Sequence, residues 1–321
     1  MIDDQAEEAR PPGVAARLPA RSTGGSLPPA EWVLLTVAVV GISLAAPLAA
    51  AAAAPPLAIA FWRNAAASAI VLTRVSNRRG AGRTRGRRPG RSDVLYCVLA
   101  GLFLAAHFGM WIPSLTMTSV ATSTALMCTT PLWAGLIARA RGRGVPKGGW
   151  AGMLVAISGV LVVSSVDVGV SARALAGDAL ALASGVCLAA YLSVGEHVRQ
   201  RLDTGTYTLI CYASAAAVLL AACLFTGSEL VGYAAGTWVT LAALTVAGQL
   251  LGHSLLNRSL GVVSGATVAV ISLLEVPGAA LLAALWLGQV PPLETYLGVL
   301  VVLAGVFVVV RADASGRKRE A

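Results

Sequence analysis

Residues 114–163 of this chain are echoed about 145 positions later by residues 259–309. Ser119-Val-Ala-Thr122 is answered by Ser264-Gly-Ala-Thr267 at an offset of 145. After one inserted residue, Gly152 and Gly159 are answered by Gly298 and Gly305. Each distal glycine opens an aliphatic run, Val160-Leu-Val-Val163 in the first copy and Val306-Phe-Val-Val309 in the second. A chain that states one apolar pattern twice is constrained to fold as two copies of one unit. In membranes, paired units of this kind hold a binding site between them.

Both copies are membrane material. The 321 residues are 57% hydrophobic and 12% charged, with a mean hydropathy of +0.76. Crossing a bilayer core of about 30 Å takes roughly 20 apolar residues. Ten stretches approach or exceed that length: 32–51, 57–73, 94–114, 119–138, 149–166, 175–194, 206–226, 237–257, 262–287 and 293–310. Ten spans in two equivalent sets leave five per copy. Five is odd, so the second copy enters from the opposite face and the repeat is inverted. Backbone groups in lipid must be satisfied within each span. The expected fold is therefore an all-α polytopic membrane protein, with ten transmembrane helices as two inverted five-helix repeats. The repeats cover 31–166, including an arginine-rich cytoplasmic loop at 74–93, and 174–311. Residues 1–30, rich in Pro, Gly and Ala, are expected to be a disordered cytoplasmic N-terminus, and 312–321 a cytoplasmic tail. Gly152 and Gly159, like Gly298 and Gly305, are seven apart. Each pair lies on one helical face where another helix can approach closely.

The net charge of +9 raises the question of nucleic acid, and its placement answers it. Basic residues cluster before the first span (Arg10, Arg17, Arg21) and between the second and third (Arg74, Arg78, Arg79, Arg83, Arg85, Arg87, Arg88, Arg91). They recur after the fourth (Arg139, Arg141, Arg143, Lys147), the sixth (Arg199, Arg201), the eighth (Arg258) and the tenth (Arg311, Arg317, Lys318, Arg319). That places 22 of 24 on one side; Arg173 faces the other and Arg63 lies within a span. Positive residues gather in cytoplasmic loops, so both termini are expected inside, with anionic lipid as the incidental partner. The Ala49–Ala54 tract imitates a signal-peptide cleavage site. The apolar run from Trp32 nevertheless exceeds a signal core of roughly 7–15 residues, and its loss would break the span count. The five cysteines, Cys97, Cys128, Cys187, Cys211 and Cys223, lack metal-ligand or C-x-x-C spacing and read as small apolar fillers.

Four short motifs carry a family resemblance. Phe61-Trp-Arg-Asn64, at the start of the second span, resembles the aromatic-x-Arg-aromatic signature of the EamA family, within the drug/metabolite transporter superfamily. His107-Phe-Gly-Met-Trp-Ile-Pro-Ser-Leu115, Thr129-Thr-Pro-Leu132 and Ser272-Leu-Leu-Glu-Val-Pro277 resemble that family's third, fourth and ninth helices. The likeness runs from Glu31 to Val310. Two positions depart from the pattern: Val40-Gly41 stands in place of Trp-Gly, and Pro277 follows Glu275 by two residues rather than one. The resemblance implies a ten-helix secondary transporter of small metabolites such as amino acids or related compounds, acting as an exporter.

Ionisable groups inside a membrane are expensive and mark function by default. Arg63, followed by Asn64, lies about six residues into its span, on the order of 9 Å below the outer boundary. It snorkels to the headgroups, pairs with Glu275 or meets the solute. Glu275 is the acid well inside a span, so it is protonated, paired or facing a wet cavity. Thr245, Gln249, His253 and Asn257, four apart, form one polar stripe on an apolar helix. The stripe serves either interhelical hydrogen bonds or a solute. His107 and Trp111 share a face, with His107 near the counterpart of His253. Thr129 and Thr130 match the depth of Glu275 in the other copy. These side chains are the candidates for substrate or proton coupling.

The expected protein is thus not an enzyme and carries no cofactor or metal. It sits in the plasma (inner) membrane, and its partners are a small-molecule solute, the lipid bilayer and, as one option, coupling protons. Nothing in the sequence sets its oligomeric state. A membrane scaffold or sensor also accounts for ten spans, but leaves the mid-depth polar stripe without a purpose. An intramembrane enzyme lacks H-E-x-x-H, a pair of intramembrane acids and a nucleophile–base arrangement.

Overall fold

A computed structural model of the chain describes residues 28–80, 88–118, 120–142, 144–164, 171–278 and 293–320. Of the segment expected to be disordered, 1–27 lie outside the described residues. So do 81–87 of the arginine loop and 279–287 of the ninth stretch.

The described residues are helical and contain no strand. In chain order the helices are α1 (Pro29–Ser43), α2 (Ala45–Ala51), α3 (Pro56–Gly80), α4 (Arg91–Ser114), α5 (Val120–Met127), α6 (Thr130–Ala140), α7 (Lys147–Ser164), α8 (Ala172–Arg199) and α9 (Thr204–Thr226). After these come α10 (Ala235–Leu244), a π-helical segment (Thr245–His253), α11 (Ser254–Ser259), α12 (Gly265–Ser272) and α13 (Leu293–Glu320). Among the described residues, six stretches are long and apolar enough to cross a membrane: Pro29–Ala51, Pro56–Asn77, Arg91–Ser114, Ala172–Arg199, Thr204–Thr226 and Ala235–Ser259. The chain is a multi-pass membrane protein. The helix ends follow local chemistry. Ser171, Asp203 and Ser264 each accept a backbone N–H at the start of α8, α9 and α12. Gly227, at φ 65°, closes α9 in the left-handed region that glycine alone enters cheaply. The last helix continues past the end expected at 310, through the charged residues up to Glu320.

The two halves interleave rather than sit side by side. α4 packs along α8 and α9, α3 along α9, α1 along the π segment, and α7 along α13. The matched glycines meet one another in that last pair. A Cβ on Gly152 would lie 2.8 Å from the Gly305 carbonyl, and one on Gly159 would lie 2.7 Å from the Gly298 carbonyl. Bare glycine faces let the two backbones touch. At the surface, Arg258 reaches Glu31 across the halves at 3.7 Å.

Several stretches expected as unbroken α-helix are interrupted. The first turns at Leu44, the fourth at Cys128–Thr129 and the ninth at Leu273–Leu274, while the eighth widens into π-helix. Proline explains the first three. Pro47, Pro131 and Pro277 lack the N–H that would bond the carbonyl four residues back, and their rings crowd it. Those carbonyls belong to Ser43, Met127 and Leu273. At Met127 the Thr130 hydroxyl takes the proline's place, donating at 2.7 Å. At Leu273 the Val276 N–H does so, at 3.2 Å.

Candidate functional site

All four interruptions border one central cavity. Its wall comprises Ile42 and Ala45 around the first turn, Met127, Cys128 and Thr130 around the second, and Ala269, Ser272, Leu273 and Glu275 around the third. His253 at the end of the π segment and Leu256 join them, as do His107 and Trp111 of α4 and Leu188 and Leu192 of α8. Irregular backbone at membrane depth is tolerated where it lines a cavity instead of lipid. The cavity measures about 40 Å³, room for roughly three waters at ~10–15 Å³ each. It is small beside the hundreds of Å³ of a typical metabolite pocket.

The histidines expected to pair do approach each other: the rings of His107 and His253 are 6.3 Å apart between centroids. His107 Nδ1 lies 3.1 Å from the Ser184 carbonyl, which makes Nδ1 the donor and leaves Nε2 as an acceptor. Its ring stacks on Trp111 at 5.9 Å and 9°. The Trp111 indole N–H is buried and has no partner. Phe108 stands edge-on to His253 at 5.2 Å.

Glu275 is 6% exposed, and among the described residues no side chain or backbone group forms a hydrogen bond or ion pair with its carboxylate. It begins the helical turn after the ninth-stretch break, as Thr130 begins α6 after the fourth-stretch break. The single proton of the Thr130 hydroxyl goes to Met127 O and is shared with Gly185 O at 3.2 Å. Thr129 donates to Leu126 O and accepts from Trp133 Nε1 at 3.1 Å, outside the wall.

Arg63 differs from both structural expectations for it. It is 0% exposed, so it does not snorkel, and no ion pair joins it to Glu275. Its Nε donates to Gln249 Oε1 at 3.0 Å, Gln249 Nε2 donates to Asn64 Oδ1 at 3.2 Å, and Asn64 Nδ2 donates to Ala60 O at 2.9 Å. The guanidinium carbon sits 4.0 Å from the centroid of the Phe108 ring. Arg63, Asn64 and Gln249 form a polar cluster behind the wall rather than part of it.

The expected stripe divides for a related reason. Spacings of four share a face on an α-helix, but the π segment closes its hydrogen bonds five residues apart and rotates that register. Thr245 donates to Leu241 O, Gln249 turns to Arg63, and His253 faces the cavity. Asn257 accepts from Tyr191 at 2.7 Å and donates to Tyr212 at 3.4 Å. Sequence reasoning passed over Tyr191, Tyr212, Ser254 and Phe108. Tyr212 Oη and Ser254 Oγ lie 3.0 Å apart, and Ser254 Oγ donates to Gln249 O at 3.0 Å, clamping the wide turn. No helical-face rule finds them, because Tyr191, Tyr212 and Phe108 reach across helices and Ser254 closes a turn of π rather than α spacing. The prolines, by contrast, were a readable signal for the breaks. Among the described residues, no group of three or more His, Cys, Asp or Glu gathers to hold a metal ion.

The sequence model of the EamA-like transporter family matches this chain twice, over residues 29–165 and 175–311. A solved crystal structure aligns with 91% of this chain and 99% of its own, with a TM-score of 0.71 at 17% identity, a likeness of fold. No curated protein matches the chain in sequence.

Proposed function

The chain belongs to the EamA-like transporter family, and on that premise we propose that it is a secondary active exporter of small metabolites such as amino acids or related compounds. It works by alternating access between two inverted five-helix repeats around the central cavity. Both termini face the cytoplasm of a cell whose plasma (inner) membrane holds the protein. The observation that carries this reading is Glu275, a carboxylate at a helix break on the cavity wall with no hydrogen-bond partner among the described residues. A structural carboxylate at that depth would have a donor. One that waits for a substrate ammonium or a coupling proton would not. Helix breaks at Cys128–Thr129 and Leu273–Leu274, separated by the offset of the sequence repeat, support two copies of one unit. The small cavity supports a state between the two openings.

The test is flux in proteoliposomes. Amino acids and other metabolites are screened with and without an imposed proton gradient, for the native chain and for Glu275→Gln. At least one solute should move with the native chain and slow sharply with the variant, while both insert equally. Equal flux across pH would show the carboxylate to be structural and remove the basis of the mechanism. Tags at residue 85 and at the C-terminus should report cytoplasm and a tag beside Arg173 the outside. The reverse pattern at residue 85 would overturn the topology.

A further inference from the structure

We propose that Arg63 is a carboxylate site, and that it receives an anionic end of the cargo beside the Phe108 ring. The inference deepens the transport reading of that cavity and rests on it. Arginine carries its charge throughout the physiological range, and a buried charge with no counter-charge is strongly unfavourable. Arg63 is fully buried, and among the described residues no carboxylate lies within ion-pair distance of it, the Glu275 carboxylate acting on it only from longer range. Its Nη1 and Nη2 are both buried without a partner.

The rest of its surroundings fix the head group rather than neutralise it. Nε is held by Gln249, which Asn64 holds in turn. Gly248 gives Nη2 its place, since a Cβ there would come within 3.0 Å of it. What remains free is the end-on edge of two N–H-bearing nitrogens, the geometry that matches the two oxygens of a carboxylate. Phe108 partitions this edge from the cavity. Its ring lies 4.0 Å from the guanidinium carbon and 5.2 Å, edge to face, from His253 of the wall. A turn of that ring would open the guanidinium to the cavity. A cargo bearing both a basic nitrogen and a carboxylate then meets Glu275 and Arg63 together, and each buried charge gains its opposite.

Binding can be read without transport. The full chain in detergent micelles is titrated with sodium acetate, sodium chloride and acetamide, following the thermal unfolding midpoint. Acetate should raise the midpoint saturably, and acetamide, its neutral counterpart, should not. Acetate should bind at least about tenfold more tightly to the native chain than to Arg63→Gln, the loss of one charged fork. Arg63→Lys keeps the charge without the fork, so its preference for acetate over chloride should vanish. If Arg63→Gln does not fold, the contrast of acetate with acetamide and chloride on the native chain decides alone. Chloride binding as tightly as acetate, or an unchanged response in Arg63→Gln, overturns the proposal. A chain that binds acetate through Arg63 but moves no solute would leave this site standing and sink the transport reading instead.

Discussion

The breaks at Cys128–Thr129 and Leu273–Leu274 are one backbone device used twice, with opposite chemistry on it. Each interrupts a helix ahead of a proline, and each sets the first residue of the next turn on the cavity wall. At the first break that residue is Thr130, whose hydroxyl is spent on Met127 O and Gly185 O. At the second it is Glu275, which no group among the described residues satisfies. The repeat supplies a position where polar atoms can face a cavity. A single side chain then decides whether the position is closed on itself or open to a solute.

This contrast predicts unequal consequences. Glu275→Gln should reduce gradient-driven flux by about 100-fold, the scale of one charged hydrogen bond lost at ~3 kcal/mol. Thr130→Val should change it by less than about threefold, costing instead ~1 kcal/mol of stability through the unpaired Met127 carbonyl. Proteoliposome flux and thermal unfolding, measured on both variants, test the pair; similar flux losses would dissolve the distinction. The exchange of both residues, Thr130→Glu with Glu275→Thr, sharpens it. The new carboxylate would face the Met127 and Gly185 carbonyls, so recovery should stay below about a tenth of native flux. Near-native flux from the exchange would show that depth alone matters.

Smaller effects concern the backbone. Pro131→Ala and Pro277→Ala each restore a missing N–H and favour an unbroken helix. Both should raise the unfolding midpoint while lowering flux roughly fivefold, as part of the ~3 kcal/mol proline penalty is relieved in the closed form. A variant with higher stability and unaltered flux would show that its break is incidental. The smallest change is expected from Tyr212→Phe, which removes one donor from the Ser254–Gln249 clamp at about 1 kcal/mol. Faster amide hydrogen exchange confined to residues 245–257 would identify that clamp as the support of the π segment. Exchange unchanged there would assign the hydroxyl to Asn257 alone.

His107 and His253 repeat the lesson on the neighbouring helices. α4 stays regular through His107, whereas the eighth stretch widens to π-helix before His253. The rings still come within 6.3 Å of each other. Their counterpart positions were legible from the offset, but the register between them was not. The wide turn is closed by Ser254, five residues on, and held from outside by Tyr212, a residue that no pattern within the eighth stretch connects to Gln249.

By itself, the sequence determined that this chain is helical membrane protein, which residues are apolar enough to enter lipid, and which polar groups had to be accounted for there. Those follow from transfer free energy and backbone hydrogen bonding, which act residue by residue along the chain. It also determined that Gly152, Gly159, Gly298 and Gly305 would serve close packing, because a missing Cβ has one cheap use on a membrane helix. Only the tertiary structure decided that these glycines face each other, that Arg63 hides behind Phe108 with two nitrogens unpaired, and that Gln249 leaves the stripe to hold it. Such outcomes depend on which helices become neighbours. The partner that satisfies a buried polar group, or fails to, comes from a segment as many as 186 residues away, as Gln249 is from Arg63.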